Sequence, residues 1–517
     1  MIIVYHRNSK VTAVDGVSPL FFSKLNRSNI SHTLFLIASE NPNVKIVWCH
    51  ENVKKKLNLT ALDALSKHKN VMLSYKGAAD LPFQNVVGYI EQSPFLKVNH
   101  TVTYPTWCMS STVGVIHASV LERYKSQLKP DVNLDYFLCS IAKTGMIKGL
   151  FCYAEPQLLL DNQDGIPEKP VSTFTVFKFV SQHFKKQWVF FLFFMVLIHE
   201  KRFAFFPLLK ALFFKSRLYL NLIFESLMAD AAQDAQELPS IDVIIPTLGR
   251  KAYLYDVLLD LAAQSHLPVH VIVIEQNPIP DSISELEYLQ EKNWPFVVKH
   301  VFTHQTGACN ARNLALDLVE SEWVFLGDDD NRFGQHLIRD VLQNATKYGL
   351  EAITTAYLQE GETQIFNTIH QSGIFGSGNS FVAAPSLKNI RFDKALEFGY
   401  GEDTDFGLQI RNSGCDIIYF PSLKITHLKA SSGGFRTPQP QLWEQDCIHP
   451  KPSPTILYVY LKHFTLEQLK GFKLLLFLKL LKKEPILKSI LFVRNFNKKW
   501  ERSIFWAQKL KMGQHEN

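Results

Sequence analysis

The stretch Ser-Glu-Trp-Val-Phe-Leu-Gly-Asp-Asp-Asp-Asn-Arg-Phe at residues 321–333 decides the fold of this chain. An apolar run at 323–326 ends at Gly327 and leads directly into Asp328, Asp329 and Asp330. A short apolar run that ends in a turn signal predicts a buried strand, and the functional residues of α/β sheets lie just past the carboxyl ends of strands. Three adjacent carboxylates repel one another unless a cation joins them. The stretch therefore favours a divalent cation site, with a solvated acidic turn as the alternative.

Composition places the chain among ordered globular proteins. Its 517 residues predict two to four domains, and 46% hydrophobic against 20% charged residues excludes a disordered chain. The seven cysteines are scattered without any CxxC spacing, which argues against a disulfide framework or a zinc site and indicates a reducing compartment. The first residues lack a basic region followed by an apolar core, so we expect no cleaved secretion signal.

The net charge of +7 is concentrated in two segments. Residues 171–217 contain eight Lys and Arg against one acid, and residues 451–517 contain fourteen against four. The rest of the chain is therefore net acidic. Basic segments rich in Phe and Leu indicate contact with an anionic membrane surface. A nucleic-acid partner is not expected, because these segments contain no recognisable binding module.

Residues 1–165 predict an α/β domain with strands at 2–5, 44–48, 71–73 and 86–90. Its later part resembles the second half of the chain in the order of its features. A Ser-rich loop at 110–114, an acidic helix start at 133–137 and a helix stop at 142–145 follow one another there. No acidic triplet accompanies them. This domain is either a degenerate relative of the second domain or a separate acceptor-binding or partner-docking module.

Two basic helical regions flank the second domain. Residues 166–236 predict a linker whose uncharged run at 188–198 is too short for a spanning helix, which needs about 20 apolar residues. Residues 438–517 predict basic amphipathic helices, with Leu and Phe clusters between lysines at 469–481. Both regions fit helices that lie in a membrane interface. The alternatives are a helical linker that packs on the domains and a basic cap on the catalytic domain.

Residues 237–437 contain five motifs in a fixed order. A strand at 241–245 runs into Pro246-Thr247-Leu248-Gly249-Arg250, and a second strand at 269–274 ends at Glu275. Residues 306–313 open a helix before the acidic triplet, and 398–406 form an acidic turn that leads into another helix. This succession resembles glycosyltransferase family 2. The resemblance implies a GT-A fold, which is a Rossmann-like mixed sheet flanked by helices.

A nucleotide-diphosphate donor has to be held by its base, its ribose and its pyrophosphate. The turn after the first strand can hold the nucleoside, and Glu275 can accept hydrogen bonds from the base or the ribose. Arg312 follows Gly307 in the first turn of a helix, where a fixed guanidinium suits a phosphate, although an ordinary surface arginine is the alternative. The candidate donor-binding residues are Pro246, Thr247, Arg250, Glu275, Arg312, Asp328 and Asp329.

The resemblance assigns the acidic triplet to the family's Asp-x-Asp motif, which holds Mn²⁺ or Mg²⁺ against the diphosphate. Asp330 and Asp328 are then metal ligands, and His427, which closes a strand at 423–426, reaches the metal or the diphosphate. A structural role is the alternative for this lone histidine. Residues 432–436 can form a flap over the donor, with Arg436 on a phosphate.

The acceptor side falls on two further motifs. Small residues at Gly378 and Asn379 would let an acceptor sugar approach the backbone, with a mere tight turn as the alternative. An inverting transfer needs one base to deprotonate the acceptor hydroxyl. By resemblance Asp403 is that catalytic base and Glu402 orients the acceptor, whereas Asp405 caps the helix.

The sequence therefore predicts a metal-dependent inverting glycosyltransferase on the cytoplasmic face of the plasma membrane. It would move a sugar from a nucleotide donor to a glycan or lipid-linked acceptor of surface polysaccharide synthesis. A glycan-binding or scaffold protein with an inactive site is one alternative. A sugar-phosphate nucleotidyltransferase is another, although the turn at 247–250 is poor in the glycine that such a phosphate loop needs.

Overall fold

The computed structural model describes residues 1–18, 25, 28–66, 68–76, 83–161, 171–224, 227, 237–430, 440–482 and 489–513. The chain forms two units. The first comprises Met1–Ala231, Thr368–Gln371 and Phe464–Lys473. The second comprises Ala232–Asn367, Ser372–His463 and Leu474–Asn517.

The first unit is built on a sheet with the strand order β2-β1-β3-β6-β4-β7-β5. Its strands are β1 (Ile2–Arg7), β2 (Lys10–Asp15), β3 (Lys45–His50), β4 (Val71–Ser74), β5 (Tyr104–Pro105), β6 (Val113–His117) and β7 (Phe151–Ala154). Strand β1 runs parallel to β3, and β6 runs antiparallel to both β3 and β4. Strands β4 and β6 are buried at every residue, as strands covered on both faces must be.

Helices cover this sheet. They are α1 (Ile30–Glu40), α2 (Leu59–Leu65), α3 (Gln84–Gly88), α4 (Ala118–Lys125), α5 (Leu134–Gly145), α6 (Thr173–His183), α7 (Gln187–Glu200) and α8 (Phe205–Leu212). The strand predicted at 86–90 is wrong, because these residues fall largely in α3; a short apolar run does not distinguish strand from helix. Helices α6–α8, from the predicted linker, cluster with the first unit, and Phe177 and Phe179 of α6 are fully buried.

The second unit is built on a larger mixed sheet with the order β10-β9-β8-β11-β15-β13-β16-β12. Its strands are β8 (Ile241–Thr247), β9 (His270–Gln276), β10 (Val297–Thr303), β11 (Trp323–Gly327), β12 (Asn331–Phe333), β13 (Ala352–Leu358), β15 (Asn379–Ala383) and β16 (Ile418–His427); β14 (His370–Gln371) lies in the segment that clusters with the first unit. Strands β8, β9, β10 and β11 are parallel, whereas β15 runs antiparallel to β11. The strand predicted around the acidic triplet is β11.

Helices flank this sheet, and an apolar core lies between the layers. They are α9 (Lys251–Ala262), α10 (Tyr288–Glu291), α11 (Ala308–Leu316), α12 (Leu337–Tyr348) and α13 (Glu402–Asn412), followed by α14 (Pro454–His463) and α16 (Ser489–Gly513). The helix between the last two, α15 (Leu466–Leu481), begins in the segment that clusters with the first unit. The core joins Ile244, Val324 and Val382 of the sheet to Ala311 and Phe406 of the helices. The predicted α/β fold, with a mixed sheet flanked by helices, is confirmed.

Among the helices of the described ranges, none combines the length with the apolar character that a membrane crossing requires.

Candidate active site

The acidic triplet lies where the carboxyl ends of β8 and β11 meet. These two strands are parallel neighbours, so the turn after β8 and the turn after β11 share one edge of the sheet. Thr247 donates its hydroxyl to Asp329 Oδ2 at 2.7 Å, and Arg250 Nη1 contacts Asp329 Oδ1 at 2.8 Å and Asp330 Oδ2 at 3.2 Å. Two predicted donor-binding motifs, separated by 80 residues along the chain, therefore form one ion-paired group.

Asp329 and Asp330 are buried but differ in their electrostatics. Burial raises the pKa of Asp329 to about 6, although the guanidinium of Arg250 and the hydroxyl of Thr247 oppose this rise. Burial alone would also raise the pKa of Asp330, but contacts with His427 and the backbone N–H of Ala430 hold it below its ordinary value. Asp330 therefore stays negatively charged at neutral pH.

Asp330 and His427 form a pair at the end of β16. His427 Nε2 lies 3.4 Å from Asp330 Oδ1. The imidazole stacks on the ring of Tyr357, with the centroids 4.7 Å apart and the planes 11° apart, and the Tyr357 hydroxyl donates to Asn331 Oδ1 at 2.8 Å. The sequence analysis did not select Tyr357 or Asn331. Their signal is positional, because Tyr357 stands next to the last residue of β13 and Asn331 directly follows the triplet.

Asp328 lies on the other side of the triplet, against Arg312 and Gly378. Arg312 Nη2 contacts Asp328 Oδ1 at 2.9 Å, and the Tyr357 hydroxyl is 3.3 Å from Asp328 Oδ2. A Cβ on Gly378 would stand 2.2 Å from Asp328 Oδ2, so any side chain there would have to displace that carboxylate. The predicted donor side and the small-residue loop are thus in direct contact.

Arg312 is a buried residue of α11 rather than an ordinary surface arginine. Burial alone would lower its pKa, but the carboxylates of Asp328, Asp403 and Glu402 raise it. Among the described residues, its Nε has no hydrogen-bond partner, and the same holds for the side-chain nitrogens of Gln276 and Asn310. Buried donors without a partner cost free energy, and a bound ligand with acceptor oxygens would satisfy them.

The N-terminus of α11 holds a carboxylate that the sequence analysis missed. Glu397 accepts from the backbone N–H groups of Cys309 at 3.1 Å and Asn310 at 2.9 Å, and burial raises its pKa. Gly307 permits this approach, because a Cβ there would lie 2.4 Å from the Glu397 carboxylate, and its φ of +144° is one that side chains avoid. Nothing in the spacing marks Glu397, since it comes from a remote loop.

The predicted catalytic pair starts α13. Asp403 Oδ1 accepts from the Ser377 hydroxyl at 2.5 Å. Burial raises the pKa of Asp403, with Arg312 and Ser377 opposing the rise, and burial followed by repulsion from Asp403 raises the pKa of Glu402. Asp403 and Asp328, which the sequence assigned to the acceptor and donor sides, thus both act on the charge of Arg312.

Other predicted residues occupy fixed positions. Glu275 at the end of β9 accepts from His300 Nε2 and from the backbone N–H of Glu285, both at 2.9 Å. Asn379 directs its side-chain N–H groups to β13, where the Thr355 carbonyl accepts at 2.8 Å, so Gly378 is the residue of the loop that faces Asp328. Pro246 is paired with Ile274 in the sheet.

The prediction that Asp405 caps α13 is wrong. Its fully buried carboxylate accepts from His463 Nε2 at 2.6 Å and Lys462 Nζ at 2.8 Å, both on α14, and the helix has no side-chain cap. The reason is tertiary, because the Lys462 ammonium and the His463 ring of α14 offer stronger partners than free backbone N–H groups. Asp405 therefore ties α14 to the helix that carries Asp403.

Two further predictions concern the metal and the flap. Among the described residues no group of three His, Cys, Asp or Glu side chains could hold a metal ion. Asp330 and His427 form only a pair, and Asp328 is engaged by Arg312 instead. The predicted flap at 432–436, including Arg436, lies outside the described residues.

Comparison with known proteins gives one family match. No curated protein matches the chain. Residues 242–396 match the model described as glycosyl transferase family 2.

Solved structures of S. aureus TarS are among those similar to this chain. The 1–349 fragment matches with 18% identity and a TM-score of 0.32, over 37% of this chain and 60% of that one. The longer TarS matches with 16% identity and a TM-score of 0.34, over 46% and 42%. The fragment in complex with UDP-GlcNAc matches with 13% identity and a TM-score of 0.34, over 54% and 92%. The first two alignments thus span less than two thirds of those proteins.

The family match covers β8 to the loop before α13, including the triplet, Arg312 and Gly378. The resemblance found from the motifs is confirmed for this segment. The segment 242–396 thus matches glycosyltransferase family 2, and all of it except Thr368–Gln371 lies in the second unit.

Proposed function

We propose that the second unit transfers a sugar from a nucleotide-diphosphate donor to a hydroxyl of a glycan or lipid-linked acceptor, with inversion at the anomeric carbon. The observation that carries this proposal is the position of Arg312 between Asp328 and Asp403. One buried cation there serves both the side assigned to the donor and the side assigned to the acceptor. The partnerless nitrogens of Gln276, Asn310 and Arg312 add donors for a ligand rich in oxygen.

Asp403 acts as the base in this proposal. Its raised pKa suits proton abstraction near neutral pH, because general-base catalysis is most effective when the pKa approaches the working pH. As the acceptor hydroxyl oxygen attacks the anomeric carbon, the bond between that carbon and the diphosphate breaks. The proton of the acceptor hydroxyl passes to Asp403. Arg312 and Arg250 lie where they can offset the negative charge that develops on the leaving diphosphate.

The residues present fit a divalent cation held jointly with the donor. Mg²⁺ and Mn²⁺ prefer oxygen ligands, and Mg²⁺ sites commonly use one or two protein groups with substrate phosphates and water. Asp330, which remains ionised, and His427, 3.4 Å away, would supply the two protein groups. The cation would supply Lewis-acid stabilisation of the diphosphate.

Nucleotide binding tests this proposal directly. Calorimetry would measure binding of UDP, GDP and dTDP to the full chain with Mn²⁺ and with EDTA. We expect one nucleotide to bind, with affinity reduced at least about tenfold by Asp330→Ala, which corresponds to about 1.4 kcal/mol. Asp317→Ala, at an exposed aspartate paired with Arg391, is the matched control. No binding of any nucleotide would favour the inactive scaffold instead.

We propose further that the first unit attaches the protein to the cytoplasmic face of a membrane, where a lipid-linked intermediate of surface polysaccharide would be the acceptor. An aromatic patch supports this, and its members are Phe193, Phe194, Phe203, Phe205 and Phe206. Their rings follow one another at centroid distances of 5.6 to 6.0 Å. Phe203 is 71% exposed and Phe206 is 73% exposed.

Charge around the aromatic patch suits anionic lipid. The aromatic patch lies in the basic segment 171–217, whose single acid is Glu200. This segment also exposes Lys201, Lys210 and Lys215. Aromatic rings mixed with lysines are typical of surfaces that enter the headgroup region of a bilayer. All seven cysteines are free thiols, which supports a reducing compartment.

Cosedimentation with vesicles tests this attachment. The full chain should bind vesicles of phosphatidylcholine with phosphatidylglycerol better than phosphatidylcholine alone. The double variant Phe203→Ser with Phe206→Ser should bind at least about tenfold more weakly, since burying one Phe side chain contributes about 1.5–3 kcal/mol. Phe366→Ser, at a 51% exposed position of the second unit, is the control. Unchanged binding, or a dimer that the double variant dissociates, would contradict the attachment.

A further inference from the structure

The two units share the order and direction of their central strands. In the first, β1 runs parallel to β3, and β6 runs antiparallel to both β3 and β4. In the second, β8 runs parallel to β11, and β15 runs antiparallel to both β11 and β13. The next neighbours are also parallel in both, namely β7 beside β4 and β16 beside β13. The first unit therefore repeats the sheet that carries the candidate active site.

The register of the ladders aligns individual residues. The β11–β15 ladder ends with Gly327 opposite Asn379, and the β3–β6 ladder ends with Cys49 opposite Val113. In each unit a serine stands two positions before the second residue of this last pair, which is Asn379 or Val113. These serines are Ser377 and Ser111.

An aspartate meets each serine from the start of the following helix. Asp403 is the second residue of α13, and Asp135 is the second residue of α5. Asp135 Oδ1 accepts from the backbone N–H of Ser111 at 2.6 Å, much as Asp403 accepts from Ser377. Burial raises the pKa of Asp135 as it does for Asp403, yet both aspartates remain partly accessible. The acceptor half of the candidate active site thus has a counterpart in the first unit.

The donor half is only partly repeated in the described residues of the first unit. The alignment of Cys49 with Gly327 places His50, Glu51 and Asn52 where the second unit has its acidic triplet. These residues lead into a 3₁₀ helix, Glu51–Lys56, instead of an ion-paired turn. Where the second unit has three consecutive carboxylates, the first unit therefore has one, Glu51.

His6 adds a buried acceptor atom beside Asp135. The ring is 2% exposed, and its Nε2 lies 2.8 Å from the carbonyl oxygen of Ser111. A carbonyl only accepts, so Nε2 carries the proton and the other ring nitrogen, Nδ1, is an acceptor. That Nδ1 has no hydrogen-bond partner in the part of the chain that the structure describes. Burial lowers the pKa of His6 to about 4, so the ring is neutral at physiological pH.

We infer that the first unit binds a neutral sugar residue of a glycan, without transferring it, at a site that we call the glycan subsite. Its residues are His6, His50, Ser111 and Asp135, with the His6 and His50 rings 5.3 Å apart. The Asp135 carboxylate and His6 Nδ1 accept hydrogen bonds from sugar hydroxyls, and the carboxylate disfavours anionic ligands. This inference rests on the proposed function, because it takes the acceptor role of Asp403 as its template.

The test uses the full chain on an array of defined oligosaccharides. Wild type should bind a subset of neutral glycans, and Asp135→Asn should bind them about 10- to 100-fold more weakly, since a hydrogen bond to a charged group contributes about 1.5–3 kcal/mol in general. Asp63→Asn, at an exposed aspartate of the first unit that pairs with Lys45, should retain this binding. If Asp135→Asn does not fold, as judged by its thermal melting, His50→Gln at the less buried histidine takes its place.

Three results would overturn the inference. The first is the absence of glycan binding by wild type, and the second is binding by Asp135→Asn or His50→Gln that equals that of wild type. The third is sugar transfer that survives Asp403→Asn but is lost in Asp135→Asn. The last result would make the first unit catalytic. Failure of the proposed function is distinguishable, because it removes nucleotide binding and transfer from the second unit while array binding by the first unit persists.

Discussion

Replacing Ser377 with alanine should move the acid limb of the transferase pH profile to higher pH. The Ser377 hydroxyl donates to Asp403 Oδ1 at 2.5 Å and so stabilises the charged form of the base. A hydrogen bond to a charged group contributes about 1.5–3 kcal/mol, and one pKa unit corresponds to about 1.36 kcal/mol. The full effect would be a rise of about 1–2 units. Because the backbone of Ser377 still donates to Asp403 in the variant, we expect about one unit.

The sign follows from the direction of the shift. Burial has already raised the pKa of Asp403, and removal of the hydroxyl raises it further, so less of the base is deprotonated at a given pH. At pH values on the acid limb, the Ser377→Ala rate should be about tenfold lower than the wild-type rate. At high pH the two rates should converge. The assay is the initial rate of radiolabelled sugar incorporation across the pH range.

A matched control is available within the same unit. Ser386 donates to Glu351 Oε2 at 2.7 Å in an exposed position, so Ser386→Ala removes a serine-to-carboxylate hydrogen bond away from the site. This control should leave the profile unchanged. An acid limb that stays in place in a folded Ser377→Ala protein, or that moves to lower pH, would refute Asp403 as the base.

Three further predictions concern neighbouring positions. Gly378→Ala should weaken nucleotide binding at least about tenfold, or about 1.4 kcal/mol, because the new Cβ displaces the Asp328 carboxylate. Gly334→Ala places its Cβ in open space and should leave nucleotide binding unchanged. Calorimetry compares the two variants. Asp405→Ala should lower the free energy of unfolding by about 3–5 kcal/mol, because it leaves Lys462 and His463 of α14 without their buried partner. Asp317→Ala removes an exposed ion pair, which contributes at most about 1 kcal/mol. Urea denaturation measures both variants, and equal losses of stability would contradict the role of Asp405. Hydrogen-bond partners of Asp242 hold its pKa below the ordinary value of about 3.9 despite burial. The stabilisation that Asp242 contributes is therefore complete above that value and is lost as the pH falls through the lower pKa of the folded state. Asp242→Asn should reduce this loss of stability at acid pH in urea denaturation, and an unchanged pH dependence would contradict the prediction.

The sequence predicted where the candidate site residues of the second unit lie, because these residues follow strands. Parallel strands bring their carboxyl ends to one edge, so Thr247, Glu275 and Asp328 were predictable from apolar runs and the turns after them. The match to family 2 over residues 242–396 confirms the resemblance for that segment. Strand-end position is information that a single sequence carries.

Long-range partners were not predictable in the same way. Glu397 reaches the start of α11 from a loop, and Asp405 bonds to α14, because these contacts depend on how helices pack. The run at 86–90 was misassigned because four apolar residues carry no clear period. The weak similarity between 110–145 and the second half became informative only when the ladder register placed Ser111 and Asp135 opposite their counterparts.

The most direct measurement is sugar transfer by wild type and Asp403→Asn, with nucleotide binding measured on the same preparations. A panel of radiolabelled nucleotide sugars would be incubated with membranes of the source organism as acceptor. We expect wild type to use one donor, and Asp403→Asn to bind the nucleotide normally while transfer falls by about 10²- to 10⁴-fold, the usual contribution of a general base. Transfer by Asp403→Asn at the wild-type rate, or no use of any donor by wild type, would contradict a glycosyltransferase centred on Asp403.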